Sequence, residues 1–488
     1  MSGIHDGDLM RRAGGLSRLA IPCAVGALLL ISIWFGSLTH HRGLVRYDSD
    51  YYLRQAAFFV EDRGVHSRGF IEPAPFTVWP LGYPVAIAAA ADLTGLSVFW
   101  AAKVVNSVAV LLIIALLVKG LPRTGSMACL ALLSAGMVNL FASTFAEGIF
   151  SLALLVVALA LVRILERSSV PSVIVLAIAI GAAFSIRWVG AVLVCPVGVA
   201  CLWAYADGRR QSARLLAASL VGATALISAY MLLTRWIAGF LLPPRVPRKT
   251  DFLTFVYETT KSFVAEANFA FLYVPNPRNI GSLVAFCAVL VFTVAVGVHV
   301  WRRGRRRGNG FDLLDREERV TILILALVGT FFWVVMVVMK FRVDFNSLDF
   351  RYLGPGTLLV TVAALGSLMA CGLREHRGAR AVVALIVVST VLHTSIYVPW
   401  QWYRENGVLF TEQMDGLRSR YEGVPAGAVV LRSSLHTLFV RPDLMVVPEV
   451  SIATQAVFDR LLNQAIKVGR PVWIERDGQP IPFDQTKR

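Results

Sequence analysis

The chain has 488 residues, of which 56% are hydrophobic and only 16% are charged. Soluble domains carry about 25% charged residues, so this composition excludes an ordinary soluble globular protein. The net charge of +16 would suit nucleic-acid binding, but the arginines cluster in short loops between apolar stretches. That distribution is typical of the cytoplasmic side of membrane proteins. We therefore expect a polytopic membrane protein with no nucleic-acid partner.

Several apolar stretches reach the length of about 20 residues that a helix needs to cross a bilayer. They include residues 18–39, 97–118, 280–300, 319–339 and 352–372. The pattern predicts an all-α membrane fold with about eleven transmembrane helices, or about thirteen if a short pair also crosses. Residues 81–95 are short and flanked by prolines, so we interpret them as an interfacial or re-entrant segment.

The basic loops predict the orientation of these spans, because lysine and arginine are enriched on the cytoplasmic side. The clusters lie at residues 11–18, 163–167, 207–214, 302–319 and 374–380. Placing them inside puts the amino terminus in the cytoplasm, within the cytoplasmic (inner) membrane. Two large extracytoplasmic loops then cover residues 40–80 and 242–278, and Arg187 lies at the outer tip of the hairpin formed by 171–186 and 188–206.

The last part of the chain differs from the rest. Short β-rich runs at 428–432, 444–447 and 471–475 surround an amphipathic segment at 453–468. This alternation predicts a small extracytoplasmic α/β domain over residues 403–488. The multispanning membrane domain covers residues 1–402.

Charged residues recur at the predicted outer face. Asp48 and Asp50 follow the first span, Glu147 begins an apolar helix, Arg187 lies at the hairpin tip and Arg351 precedes a late span. Each has a simple structural explanation, as a solvated loop acid, a helix end or an arginine that reaches the lipid headgroups. Together, however, carboxylates and arginines at one face could bind a lipid phosphate and accept a proton beside it.

The stretch after the first span carries a family resemblance. Asp48, Ser49, Tyr52 and Ala56 form the pattern D-S-x-x-Y-x-x-x-A. It resembles the motif of the first extracytoplasmic loop in polyprenyl-phosphate-sugar-dependent glycosyltransferases of the C superfamily, which include protein O-mannosyltransferases and lipid A aminoarabinose transferases. Ser49 stands where the mannosyltransferases usually carry glutamate.

Further short motifs follow in the family's order. Residues 79–84, W-P-L-G-Y-P, resemble its proline-rich segment, and Gly95-Leu-Ser97 resembles the turn after it. Glu147 matches the acidic residue at a helix start, and Arg351-Tyr352 with Pro355 resembles a late R-Y-x-x-P element. Trp79 replaces a basic residue of the aminoarabinose enzymes, so neither family's sugar specificity is carried over.

The resemblance implies a membrane hexosyl- or pentosyltransferase. Its partners would be a polyprenyl-phosphate-linked sugar, which is a membrane lipid, and a hydroxyl acceptor on a lipid, glycan or protein at the outer face. Asp48 would be the catalytic base of an inverting transfer. The substrate-binding candidates are Tyr52, Tyr83, Arg187, Arg351 and Tyr352. Asp50 and Glu147 are candidates for a catalytic role or for holding a divalent cation, since hard oxygen ligands suit Mg²⁺ or Ca²⁺.

Other functions remain open from the sequence. A multispanning transporter or lipid-linked-sugar flippase would show charged residues mid-span or broken helices in matching halves, and neither is clear here. A scaffold that binds through its outer domain would leave the loop acids unexplained. An oligosaccharide-block transferase normally carries a W-W-D-Y-G-type signature, which this sequence lacks.

The predicted orientation can be tested by cysteine labelling from outside intact cells. A cysteine placed at position 480 should react with a membrane-impermeant reagent, whereas one at position 308, in the arginine-rich loop, should be protected. The reverse pattern would put Asp48 in the cytoplasm and contradict every site assignment above.

Overall fold

The computed structural model describes residues 5–40, 44–45, 47–61, 79–239, 241–242, 251–271, 314–343, 350–370, 410–433, 437–441, 443–448, 454–476 and 478–483. The predicted span at 280–300, residues 302–313 of the basic loop and the basic cluster at 374–380 lie outside these residues.

Helices dominate the described chain. In order they are α1 (His5–Thr39), α2 (Tyr47–Val60), α3 (Gly82–Thr94), α4 (Val98–Gly120), α5 (Gly125–Ala128), α6 (Ala135–Ala142), α7 (Glu147–Arg167), α8 (Val170–Ile186), α9 (Val194–Ala206), α10 (Arg210–Ala238), α11 (Phe252–Phe271), α12 (Arg316–Arg342), α13 (Phe350–Ala370), α14 (Phe410–Arg420), α15 (Thr437–Val440) and α16 (Gln455–Lys467). Short 3-10 segments connect α5 to α6 (Cys129–Leu133) and α8 to α9 (Trp188–Leu193).

Within the described residues, six helices are long and apolar enough to cross a membrane, or up to seven if one bent pair forms a single span. The chain is therefore a multi-pass membrane protein, as its composition predicts. The count of eleven spans stays a prediction. Helix α3 has 13 residues, or about 20 Å at the rise of an α-helix, which is too short to cross about 30 Å of hydrocarbon.

Two segments differ from the sequence-based expectation. The apolar stretch at residues 125–142 forms two pieces bent by 75° at a break, rather than one continuous helix. Ser134 has an extended backbone there, and its hydroxyl accepts a hydrogen bond from the amide of Met137, so α6 begins anew. The predicted outer loop 242–278 contains the 20-residue helix α11, which the side chain of Asp251 caps through the amide of Thr254 at 3.0 Å.

The described chain divides into two compact units. The first, called here the helical unit, comprises Met1–Trp34, Asn106–Tyr230 and Pro244–Pro399. The second, called here the loop-and-sheet unit, comprises Phe35–Val105, Met231–Pro243 and Trp400–Arg488.

Small residues let helices approach closely in the helical unit. A Cβ added to Gly329 of α12 would lie 2.8 Å from the carbonyl oxygen of Gly356 in α13. Such close approach is the usual way in which membrane helices gain packing energy. Phe332 of α12 also contacts Phe150 of α7, with ring centroids 5.5 Å apart. Helix α7 is buried along most of its length, so it forms the core of this unit.

The loop-and-sheet unit contains a four-stranded sheet in the order β2-β1-β3-β4. Its strands are β1 (Val429–Ser433), β2 (Met445–Pro448), β3 (Val472–Arg476) and β4 (Gln479–Pro482). Strand β1 pairs in parallel with β2 and β3, and β4 pairs antiparallel with β3. The three predicted β-rich runs and the amphipathic helix, now α16, are all found.

Alternate residues of β1 face two different cores, because side chains of a strand alternate between its faces. Val429 and Leu431 pack with Phe458 and Leu462 of α16. Val430 packs on the other face with Tyr421 and with Tyr51 of α2. Helix α2 therefore belongs to the same compact unit as the carboxyl-terminal sheet.

The 3-10 segment that follows α8 has no room for a side chain at Gly190. An added Cβ would lie 2.4 Å from backbone atoms of Ala183 and Phe184. We expect Gly190→Ala to destabilise the purified protein by about 1–3 kcal/mol, seen as a lower thermal midpoint, because overpacking against a rigid backbone cannot relax cheaply. Gly198→Ala in α9 is the matched control, since nothing lies within 4 Å of its Cβ position. Equal midpoints for the two variants would contradict this packing.

Candidate functional site

The motif that follows the first span lies on one face of α2. Asp48, Tyr52 and Ala56 are four residues apart, and positions i, i+4 and i+8 of an α-helix form a stripe. The spacing of the motif is therefore that of a helical face rather than of a loop. Asp48 is half-buried in the first turn of α2, where a carboxylate is favoured by the helix dipole.

Tyr52 connects the first motif to the proline-rich segment. Its ring meets the edge of the Tyr83 ring at 5.3 Å between centroids, and the Trp79 ring lies 6.3 Å away. Tyr52 and Tyr83 are only 5% and 0% exposed. Two motifs read separately in the sequence thus pack together, α2 on α3. The role of both tyrosines in binding substrate stays a prediction.

Asp50 occupies a different part of α2 from Asp48. Two residues correspond to a rotation of about 200°, so the two carboxylates leave the helix on nearly opposite sides. Asp50 is also almost completely buried. Among the residues that the structure describes, no group of three or more His, Cys, Asp or Glu side chains could hold a metal ion. The divalent cation considered from the sequence gains no support from this arrangement.

In the helical unit, Glu147 and Arg187 form a buried ion pair. Glu147 is the first residue of α7, as predicted, and Arg187 has an extended backbone directly after α8. The Nη1 atom of Arg187 lies 2.5 Å from Oε1 of Glu147, and the two side chains are 13% and 7% exposed. Because desolvation makes a buried ion depend on its partner, this pair fixes the start of α7 against the end of α8.

Arg351 and Tyr352 extend the same cluster from the first turn of α13. Nη2 of Arg351 donates to the Tyr352 hydroxyl at 3.0 Å. The guanidinium carbons of Arg351 and Arg187 lie 4.8 Å and 5.4 Å from the centroid of the Tyr352 ring. Two arginines therefore share one aromatic ring by cation–π contact. Four of the predicted site residues, Glu147, Arg187, Arg351 and Tyr352, come together from three separate segments.

Several residues around this cluster were not assigned a site role from the sequence. Asn106 of α4 donates to the carbonyl oxygens of Phe141 and Ser143, at 2.8 Å each, and so holds the segment before Glu147. Glu266 of α11 is 4% exposed and accepts a hydrogen bond from Thr357 at 2.6 Å. Asn106 could have been noticed in the sequence, as a polar residue inside an apolar stretch. Glu266 could not have been noticed in this way, because its segment was interpreted as a loop.

The chemistry open to these groups follows from their types. A carboxylate such as Asp48 can accept a proton from a hydroxyl group. Guanidinium groups present planar donor pairs that match two phosphate oxygens at once. Asp48 belongs to the loop-and-sheet unit, and the arginine cluster belongs to the helical unit.

No family model matches the sequence, and no curated protein matches it significantly. The structure, in contrast, is similar to solved structures. The oligosaccharyltransferase of Archaeoglobus fulgidus in complex with Zn and sulfate aligns over 93% of this chain and 68% of its own, with 10% identity and a TM-score of 0.57. The AglB oligosaccharyltransferase of the same organism, in complex with an inhibitory peptide and a dolichol-phosphate, aligns over 94% and 69%, with 11% identity and a TM-score of 0.50.

ArnT from Cupriavidus metallidurans bound to undecaprenyl phosphate aligns over 93% of both chains, with 14% identity. Its TM-score of 0.46 is too low to support an argument about fold. At such identities even the stronger alignments establish the architecture and not the activity. The chain therefore shares its fold with these two solved oligosaccharyltransferase structures, in agreement with the resemblance of the motif at residues 48–56.

Proposed function

We propose that this protein transfers a sugar from a polyprenyl-phosphate-linked donor to a hydroxyl acceptor at the outer face of the membrane. The observation that carries the proposal is the meeting of Glu147, Arg187, Arg351 and Tyr352 in one buried cluster. The family motifs single out Glu147, Arg351 and Tyr352, and Arg187 joins them from the tip of the predicted hairpin. The presence of a dolichol-phosphate in the AglB complex supports a lipid-phosphate donor for a protein of this fold.

In this proposal Arg351 and Arg187 bind the donor phosphate. Arg351 is 9% exposed, and its guanidinium carbon lies 5.2 Å from the centroid of the Phe145 ring and 4.8 Å from that of the Tyr352 ring. Aromatic rings on the face of a guanidinium group restrict its rotation. They leave its N–H donors, which lie in the plane of the group, available for hydrogen bonds. A guanidinium group that is already restrained loses less conformational entropy when it binds phosphate. Glu147 holds Arg187 in place through their ion pair.

Asp48 acts as the general base. It accepts the proton of the acceptor hydroxyl while that oxygen forms a bond to C1 of the sugar. The bond between C1 and the phosphate oxygen breaks, and the carrier phosphate leaves with its electron pair. The arginines stabilise the negative charge that develops on the leaving phosphate. A single displacement of this kind inverts the configuration at C1.

The donor can be identified by deleting the gene in its native host. A lipid-linked sugar that accumulates in the deletion strain, and disappears on complementation, is the expected donor. Purified from that strain, it serves as the substrate for the purified enzyme, with release of the free polyprenyl phosphate as the readout. An unchanged pool of lipid-linked sugars would contradict the proposal. Accumulation of a lipid-linked sugar that the purified enzyme does not consume would favour the flippase alternative.

Asp48→Asn should lower turnover by about 10²–10⁴-fold, because the amide keeps the shape of the side chain but cannot accept the proton. The KM for the donor should change little, since the donor phosphate is bound elsewhere. Asp50→Asn should cost less, because Asp50 lies on another side of α2. The exposed Asp92→Asn is the matched control. Near-normal turnover of Asp48→Asn would show that this carboxylate is not the base.

Arg351→Lys should raise the KM for the donor about tenfold, the equivalent of about 1.4 kcal/mol, although the charge is kept. An ammonium group cannot reproduce the two parallel hydrogen bonds of a guanidinium group. Arg187→Lys should act in the same direction. Titration of the purified enzyme with donor is the measurement, and the exposed Arg163→Lys in α7 is the control. Wild-type kinetics in both variants would show that these arginines only anchor helices and do not bind the donor.

A further inference from the structure

Helix α2 has a second face, which differs from the one that carries Asp48. Tyr51, Arg54 and Phe58 are spaced i, i+3 and i+7, so they form their own stripe on the helix. The rotation between the centres of the two stripes is about 125°. Tyr51 is 2% exposed and lies in the hydrophobic core that also contains Tyr421, Leu444 and Val446 of the carboxyl-terminal region.

Arg54 connects the same face to strand β2. It is 4% exposed, and its Nη2 atom donates to the carbonyl oxygen of Leu444 at 3.4 Å and contacts Sδ of Met445 at 3.8 Å. Its guanidinium carbon lies 5.1 Å from the centroid of the Phe58 ring. Among the described residues no carboxylate pairs with Arg54, and its Nε and Nη1 atoms have no hydrogen-bond acceptor.

Arg54 remains positively charged although it is buried. Desolvation lowers the pKa of Arg54 to about 10, an effect that the nearby Tyr51 partly offsets. The group is therefore protonated at neutral pH, and its bond to Leu444 is charge-assisted. Within the described part of the chain, the carbonyl of Leu444 is the one oxygen that accepts a hydrogen bond from Arg54, so this buried cation depends strongly on it. The rotation of α2 is thereby tied to the position of the residues that lead into β2.

We propose that Arg54 and Tyr51 are positioning residues, through which the carboxyl-terminal sheet holds α2 in the rotation that presents Asp48 for reaction. Asp48 lies six residues before Arg54, about 9 Å along the same rigid helix, so a rotation at Arg54 reaches Asp48 undiminished. The catalytic meaning of this coupling rests on the proposed function, whereas the coupling itself does not. The sheet is then a support of the site as well as an outer domain.

The test uses the full-length protein in detergent with Asp48→Cys, so that the reactivity of position 48 reports the orientation of α2. Mass spectrometry quantifies modification of the peptide that contains residue 48 by a charged thiol reagent, independently of the native cysteines. We expect Arg54→Met and Tyr51→Ala to accelerate modification several-fold, because α2 is released from the sheet. Arg54→Lys should restore part of the protection. Arg460→Met, which removes an exposed arginine of α16, is the matched control.

The second measurement uses the donor purified from the deletion strain and the enzyme with Asp48 intact. Arg54→Met should lower kcat by about 10²-fold with little change in KM, the expected cost of a misplaced catalytic group. Equal modification rates in the Arg54→Met, Tyr51→Ala and Arg460→Met backgrounds would overturn the positioning role. If Asp48→Asn retains activity while the labelling rates change as expected, the coupling stands and the proposed base is wrong.

Discussion

The buried ion pair between Glu147 and Arg187 is the contact on which the candidate phosphate site depends. Inside a membrane protein a charged side chain is costly without a partner. Glu147 begins α7 and Arg187 directly follows α8, so the pair fixes the relative position of two helix ends. Tyr352 of α13 lies against the same guanidinium group and brings Arg351 beside it. Three segments distant in the chain thus converge because one carboxylate and one guanidinium group neutralise each other.

Helix α2 plays the corresponding part in the loop-and-sheet unit. One face carries Asp48 and packs through Tyr52 on Tyr83 of α3. The other face carries Tyr51 and Arg54 and packs on the region around β1 and β2. A helix of 14 residues held on both faces has little freedom to rotate. Precise placement of a catalytic group requires such support, since sites that are loosely held lose rate.

Much of the helical architecture could be predicted from the sequence, because apolar length and arginine clusters reflect the bilayer directly. The start of α7 at Glu147 and the end of α8 before Arg187 were both placed correctly. The break within residues 125–142 was not predicted, because the sequence of an apolar stretch is similar whether its helix is straight or bent. Helix α11 was also missed, because its charged residues obscured the helical pattern. Glu266 went unassigned with it.

The sequence by itself determined that the chain is a membrane protein, where most of the described helices and strands lie, and which residue types are chemically suited to the proposed reaction. These properties depend on local composition and period, which each segment carries alone. Only the tertiary structure decided that Tyr52 packs on Tyr83, that Glu147 pairs with Arg187, and that Arg54 reaches the carbonyl of Leu444. Such contacts join residues 31 to 390 positions apart, and no local pattern encodes which buried charge meets which partner.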